Sequence, residues 1–200
     1  MAQSVENKVE KTILSKPRGC LLFPDDFSHR GSADSVRKAL QHLKEKGLIK
    51  TVTRGIYVRP VIDEYIGEVL PTAEEVAKAI ARRDKIQLVP TGAYALNALG
   101  LSTQMPLKLV FLTDGAPRTI KVGKRTIKLK KATPKSLKAR GKISALVVQA
   151  LRAIGKDKAS DDELSKIIKL LKEEDPADLK YDISLAPEWI KKIMKQAVNE

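Results

Sequence analysis

The order of apolar and polar positions divides the chain into segments of different period. Val5, Val9 and Ile13 recur at four-residue spacing behind Ser4, which predicts a helix over 4–15 capped by that serine. Pro17 and Gly19 end it, and "LLFPDDFSH" predicts a buried approach followed by a short helix from Pro24 with Phe27 turned inward. Residues 31–60, "GSADSVRKALQHLKEKGLIKTVTRGIYVRP", are the most informative. Val36, Leu40 and Leu43 form one stripe at i, i+4 and i+7, Ser32 caps the helix, and Asp34 suits its dipole. Gly47 follows as a left-handed cap. The β-prone runs "LIKTV" and "IYVRP" flank "TRG", where Gly55 supplies the positive φ of a turn. Helix, short helix, helix and basic hairpin is the order of a winged helix-turn-helix.

The remaining pattern alternates strands and helices before turning helical. "VIDEYIGEVL" (61–70) reads as a linker, and Pro71 with the capping box Thr72…Glu75 opens a helix bearing Val76 and Ile80. "KIQLVP" predicts a strand, "TGAYALNALGL" a short helix capped by Thr91, and "LKLVFLTD" a buried strand. Residues 118–131 predict a hairpin around Gly123-Lys124, with Ile120, Val122, Ile127 and Leu129 toward the core and Lys121, Lys128 and Lys130 opposite. "KATPKSLKARGK" loses the alternation and reads as a loop or short helical turn. From 142 onward three helices are expected. "ISALVVQALRAIG" is buried on most sides, Ser160 or Asp161 caps the stripe Leu164, Ile167, Ile168 and Leu171, and Trp189, Ile190 and Ile193 face inward on the last. The expected fold class is therefore α+β. A winged helix-turn-helix spans 1–60, a linker 61–70, and a mixed α/β domain with a helical C-terminal part 71–200.

Charge sharpens this picture. The net charge is +14, but its distribution is uneven. Residues 1–60 carry a net +6 and residues 118–142 a net +11 with no acid at all, whereas 61–117 and 143–200 are −2 and −1. Concentrated basic blocks point to polyanions, because neutralising phosphates releases condensed counterions. The run at 118–142 has no aromatic residue, which favours duplex-backbone contact over single-strand stacking.

Placed in a major groove, the helix at 33–46 offers Ser35, Arg37, Lys38 and Gln41 as base readers: Arg or Lys for guanine, Gln for adenine. Arg37 and Lys38 diverge by about 100° and do not both face the groove squarely. Lys44, Lys50, Arg54 and Arg59 are cast as backbone and wing contacts. Lys121, Lys128, Lys130 and Lys131 form a secondary basic face. His42 reads as a helix histidine without special role, and Cys20 as a structural thiol.

Catalytic chemistry is not expected. The sequence has no P-loop, no G-x-S-x-G and no H-E-x-x-H, and Asp25-Asp26 read as first-turn helix charges. One cysteine and two histidines do not furnish a closed zinc site or an internal disulfide, and no cofactor is implied. No stretch is long and apolar enough for a signal peptide or a membrane span, so a cytoplasmic protein without membrane contact is expected.

"SVRKALQHLKEKGLIKTVTRGIYVRP", followed by "PTGAYALNALGLSTQMPLKLVFLTDGAPRTIKVGKRTIKLKK", resembles the AbiE-type antitoxins of bacterial type IV toxin–antitoxin systems, in their short branch. The resemblance covers most of the chain and is strongest over 35–60 and 90–130. It implies a winged helix that binds inverted repeats of double-stranded DNA in its own promoter, with self-association on DNA. It also implies a C-terminal domain that counteracts a nucleotidyltransferase-like toxin without a stable complex being required. Two other readings stay open: a stand-alone winged-helix transcription factor, and a toxin-binding adaptor that uses the winged helix as scaffold.

Overall fold

The computed structural model describes residues 4–198 and is a mixed α/β structure of the α+β class. The chain forms two compact units, Met1–Ala79 with Lys121–Gly123, and Ile80–Ile120 with Lys124–Glu200.

In the first unit, helix α1 (Val5–Leu14) starts where the Ser4 hydroxyl accepts the Asn7 N–H at 3.2 Å. Strand β1 (Leu21–Leu22) and a 3-10 helix (Pro24–Arg30) follow, the latter burying Phe27 completely. Helix α2 (Ala33–Glu45) is capped by Ser32, whose hydroxyl accepts the Ser35 N–H at 3.3 Å. Strands β2 (Lys50–Thr53) and β3 (Ile56–Val58) form the expected hairpin, turning at Gly55 with φ +73°, a value that side-chain-bearing residues seldom adopt. The sheet order is β1-β3-β2, all antiparallel. Val9, Ile13, Leu22, Phe27, Val36, Leu40, Leu43 and Ile49 share one core, so the predicted stripes of both helices face each other.

The 61–70 stretch, expected as a linker, is a second hairpin of β4 (Val61–Asp63) and β5 (Gly67–Val69). Its turn is closed by Asp63, which accepts the N–H groups of Tyr65 and Ile66 at 2.9 and 3.1 Å. Alternation is too weak there to betray strands, because apolar residues stay exposed on both sides of the ribbon. Helix α3 (Ala73–Asp84) opens with the predicted capping box and carries the boundary between the units.

The second unit is built on a sheet of order β6-β7-β9-β8, from β6 (Leu88–Thr91), β7 (Lys108–Thr113), β8 (Arg118–Val122) and β9 (Arg125–Lys131). β7 runs antiparallel to β6 and parallel to β9, with Leu109 opposite Ile127 and Phe111 opposite Leu129. Those four are buried, while Lys108 and Lys130 on the alternate positions are exposed. The Asp-Gly after β7 has a local reason. Asp114 accepts the Gln87 N–H at 2.8 Å, and a Cβ on Gly115 would lie 2.7 Å from Ile86. Helix α4 (Ala93–Ala98) lies between β6 and β7 in the chain. Its cap is Gly92 with φ +63°, not the expected Thr91, which is the last residue of β6.

After the one-turn α5 (Pro134–Leu137) come α6 (Lys142–Ile154), α7 (Asp161–Leu171), α8 (Pro176–Leu185) and α9 (Glu188–Lys195). They bury Val147, Leu151, Ile167, Leu171, Leu179, Ile190 and Met194 together, and Trp189 and Ile193 pack at the rim of that cluster. The start of α6 lacks a capping side chain of its own. Distant acids serve it instead: Glu174 accepts the N–H groups of Ile143 and Ser144 at 2.7 and 2.9 Å, and Asp182 accepts those of Arg140 and Gly141. Among the described residues no helix is long and apolar enough to cross a membrane.

Candidate nucleic-acid interface

Helix α2 buries Val36, Ala39, Leu40 and Leu43, which leaves the opposite half of its surface open. At about 100° per residue, Lys38 and Gln41 lie on the crest farthest from that core, beside Asp34 and Glu45. Arg37 and Lys44, seven residues apart, share one flank. His42 and Ser35 lie on the other. The four predicted base readers are thus not presented as one set. Arg37, Lys38 and Gln41 are neighbours on the open surface, whereas Ser35 is half-buried and its hydroxyl lies 2.9 Å from the Ser32 hydroxyl.

Local partners qualify the open side chains. Arg37 Nη1 donates to Asp34 Oδ1 at 3.2 Å, and Gln41 Nε2 to Glu45 Oε1 at 2.8 Å, both on the exposed surface. Such pairs are worth at most about 1 kcal/mol and exchange readily for a better partner. Lys38 and Lys44 are exposed and make no ion pair among the described residues. Arg54, at the tip of the β2–β3 hairpin, is likewise exposed and unpaired among the described residues.

Two of the residues cast as backbone contacts have other work. Lys50 forms an ion pair with Glu68 of the neighbouring β4–β5 hairpin. Arg59 is half-buried and its Nη1 donates to the Leu14 carbonyl at 3.3 Å, satisfying the end of α1. Spacing alone does not reveal either partner, because they lie 18 and 45 residues away.

The flank that carries His42 is clamped to α1. Glu6 Oε2 lies 2.9 Å from His42 Nδ1, and Glu6 Oε1 accepts Lys46 Nζ at 2.6 Å. The Lys46 ammonium first, and His42 second, hold the Glu6 carboxyl below its ordinary value of 4.5; Glu6 in turn raises Lys46 above 10.5. Glu6 thereby links α1 to the basic helix, and nothing in its position along the chain marks it for that role.

In the second unit, Lys128 and Lys130 alternate with buried Ile127 and Leu129 along β9, and in register they stand opposite Val110 and Leu112 of β7. Lys130 and Lys131 are exposed and Lys128 is half-buried. Lys121 on β8, which groups with the first unit, is exposed beside buried Val122. The basic run is less free than its composition suggests. Arg118 pairs with Asp84, which also accepts Arg83 Nε at 2.7 Å, and the Arg140 guanidinium stacks 3.9 Å above the Tyr181 ring. Arg83 first, then Arg118, hold the Asp84 carboxyl below 3.8, against an opposing effect of burial. No group of three or more metal-ligating side chains is found among the described residues.

A family model described as a family of unknown function, DUF6088, matches residues 8–179, and the chain belongs to that family. No curated protein matches it. One solved structure similar to this chain is that of the RV2827C protein from Mycobacterium tuberculosis, at 12% identity and TM-score 0.42, covering 98% of this chain and 82% of that one.

Proposed function

We propose that this DUF6088 chain is a DNA-binding transcriptional repressor that acts as the antitoxin of a type IV toxin–antitoxin system and autoregulates its operon through inverted repeats. The observation that carries the reading is the set of exposed cations Lys38, Lys44 and Arg54, joined by Arg37, on one helix and one hairpin tip of a unit with a basic excess. On this reading the first unit works as a winged helix-turn-helix. The N-terminal half of α2 enters a major groove, where Arg37 or Lys38 addresses a guanine edge and Gln41 an adenine edge. Lys44 and Arg54 contact phosphates on either side. The crest acids Asp34 and Glu45 restrict the helix's approach, and the exposed Arg37–Asp34 pair exchanges for a guanine edge that offers Arg37 two acceptors.

Promoter occlusion by two copies on an inverted repeat gives repression. The toxin in this reading is a nucleotidyltransferase-like protein, countered by the second unit. The adaptor reading draws on one observation of its own. The β4–β5 hairpin, with Asp63, Glu64 and Glu68, exposes Tyr65 at 93% and Ile66 at 75%, a surface suited to protein rather than to DNA. A gene encoding a nucleotidyltransferase-like protein beside this one separates the antitoxin from a stand-alone regulator.

Arg37→Ala is the direct test of the reading helix. It is expected to weaken binding to the chain's own upstream DNA by about 1–3 kcal/mol and to relax sequence preference. Affinity and preference unchanged in a mobility-shift titration would remove α2 from the interface.

A further inference from the structure

Helix α6 is apolar almost throughout, and its one long polar side chain on the buried side is Gln149, 4% exposed. Ser144, the other buried polar residue of α6, is accounted for by Glu174. Gln149 is not: among the described residues no hydrogen-bond partner reaches its amide. Neither amide atom is sealed from solvent, since the fully enclosed unpartnered side-chain atoms among the described residues are Arg59 Nε and Arg118 Nε. The amide therefore opens into the cavity that Gln149 lines, of about 230 Å³. An amide that solvent reaches through a cavity, with no partner in the protein, keeps its donor and its acceptor available to a ligand.

The cavity has three distinct parts. Ala145, Gln149 and Arg152 stand on one stripe of α6, with the exposed Arg152 guanidinium at the rim. Val148, Leu185 and Pro187 supply thin apolar walls. Thr133 and Ser136 add hydroxyls 3.0 Å apart. Asp182 also lines the cavity, but it is 2% exposed and both oxygens already accept backbone N–H groups, at 2.9 Å from Arg140 and 2.8 Å from Gly141.

We propose that this cavity is a binding site for a nucleobase that carries an anionic tail, with nucleoside 5′-monophosphates as its free form. The Gln149 amide presents a donor and an acceptor side by side, which matches a base edge offering the reverse pair. The apolar walls take the faces of a planar ring, and the volume suits one ring system, below the size of a drug-sized pocket. Arg152 takes the phosphate at the mouth. All these residues lie within the second unit, so the site is independent of the DNA-binding surface proposed for α2.

The test is calorimetric titration of the full chain with adenosine, guanosine, cytidine and uridine 5′-monophosphates, and with ribose 5-phosphate as the phosphate without a base. At least one nucleotide is expected to bind saturably and well above ribose 5-phosphate. Gln149→Leu fills the same space without the amide, so it is expected to lower that affinity by about tenfold or more while the melting temperature stays level or rises. Arg152→Ala, at an exposed position, is expected to weaken it severalfold. Equal binding of ribose 5-phosphate, no saturable binding by any of the four nucleotides, or Gln149→Leu binding as the native chain does would each overturn the proposal. A marked fall in melting temperature for Gln149→Leu would do so too, since it would reveal a structural partner for the amide.

Discussion

Single side chains here divide into those held by the protein and those left open, and charge type does not predict which. Arg118 and Arg140 belong to the most basic stretch of the sequence, yet one is tied to Asp84 and the other to the Tyr181 ring. Lys38, Lys44 and Arg54 belong to a more balanced stretch and remain open. Asp84 is the residue where this difference is easiest to measure. Its folded carboxyl sits below its ordinary value of 3.8, so its pairing with Arg83 and Arg118 contributes stability above that range. That contribution is lost as pH falls through 3.8 toward the lower folded value. Asp84→Asn is expected to cost about 1–2 kcal/mol near neutral pH and to flatten the acid limb of the melting-temperature profile. Equal melting temperatures across that range would show that the pairs contribute nothing. The pairing of Asp84 with Arg118, and the partners of Glu6 and Arg59, are not legible in the sequence, because packing rather than spacing brings them close.

At the scale of elements, legibility follows periodicity. The stripe Val36-Leu40-Leu43 turns to one inner face, and Val122, Ile127 and Leu129 are buried as the pattern predicts, whereas Ile120 is only half-buried. The hairpin at 61–70 has no such signal: the ribbon buries neither face, and its turn is closed by backbone N–H groups donated to Asp63. The Gly92 cap is hidden for a different reason, since Thr91 has the chemistry of a cap but is drawn into β6 by its pairing with Val110. Lys121, Lys128 and Lys130 follow from the same alternation as their apolar neighbours, which makes their contribution testable together. Replacing all three by glutamine is expected to flatten the salt dependence of DNA binding, by about 0.9 in the log–log slope for each phosphate no longer neutralised. An unchanged slope would confine these lysines to solvation or to a protein partner. The cavity beside Gln149 has no counterpart in the sequence pattern. An isolated glutamine in an apolar helix carries no signal until the walls around it are known.

As a whole the molecule combines a small basic unit, built on α1, α2 and a three-stranded sheet, with a larger unit of sheet and helices. The family match at residues 8–179 takes in parts of both units. In the proposed account the first unit supplies the address on DNA, and the basic strand residues of the second add sequence-independent attraction. The central claim is that this chain recognises specific duplex DNA through α2, and competition binding measures it most directly. The full chain would be titrated against its own upstream DNA and a shuffled duplex of equal length across a range of salt. The account predicts protection of an inverted repeat, tighter binding to the native duplex at every salt concentration, and a log–log salt slope set by the number of phosphates neutralised. Equal affinity for both duplexes, or no binding even at low salt, would contradict it.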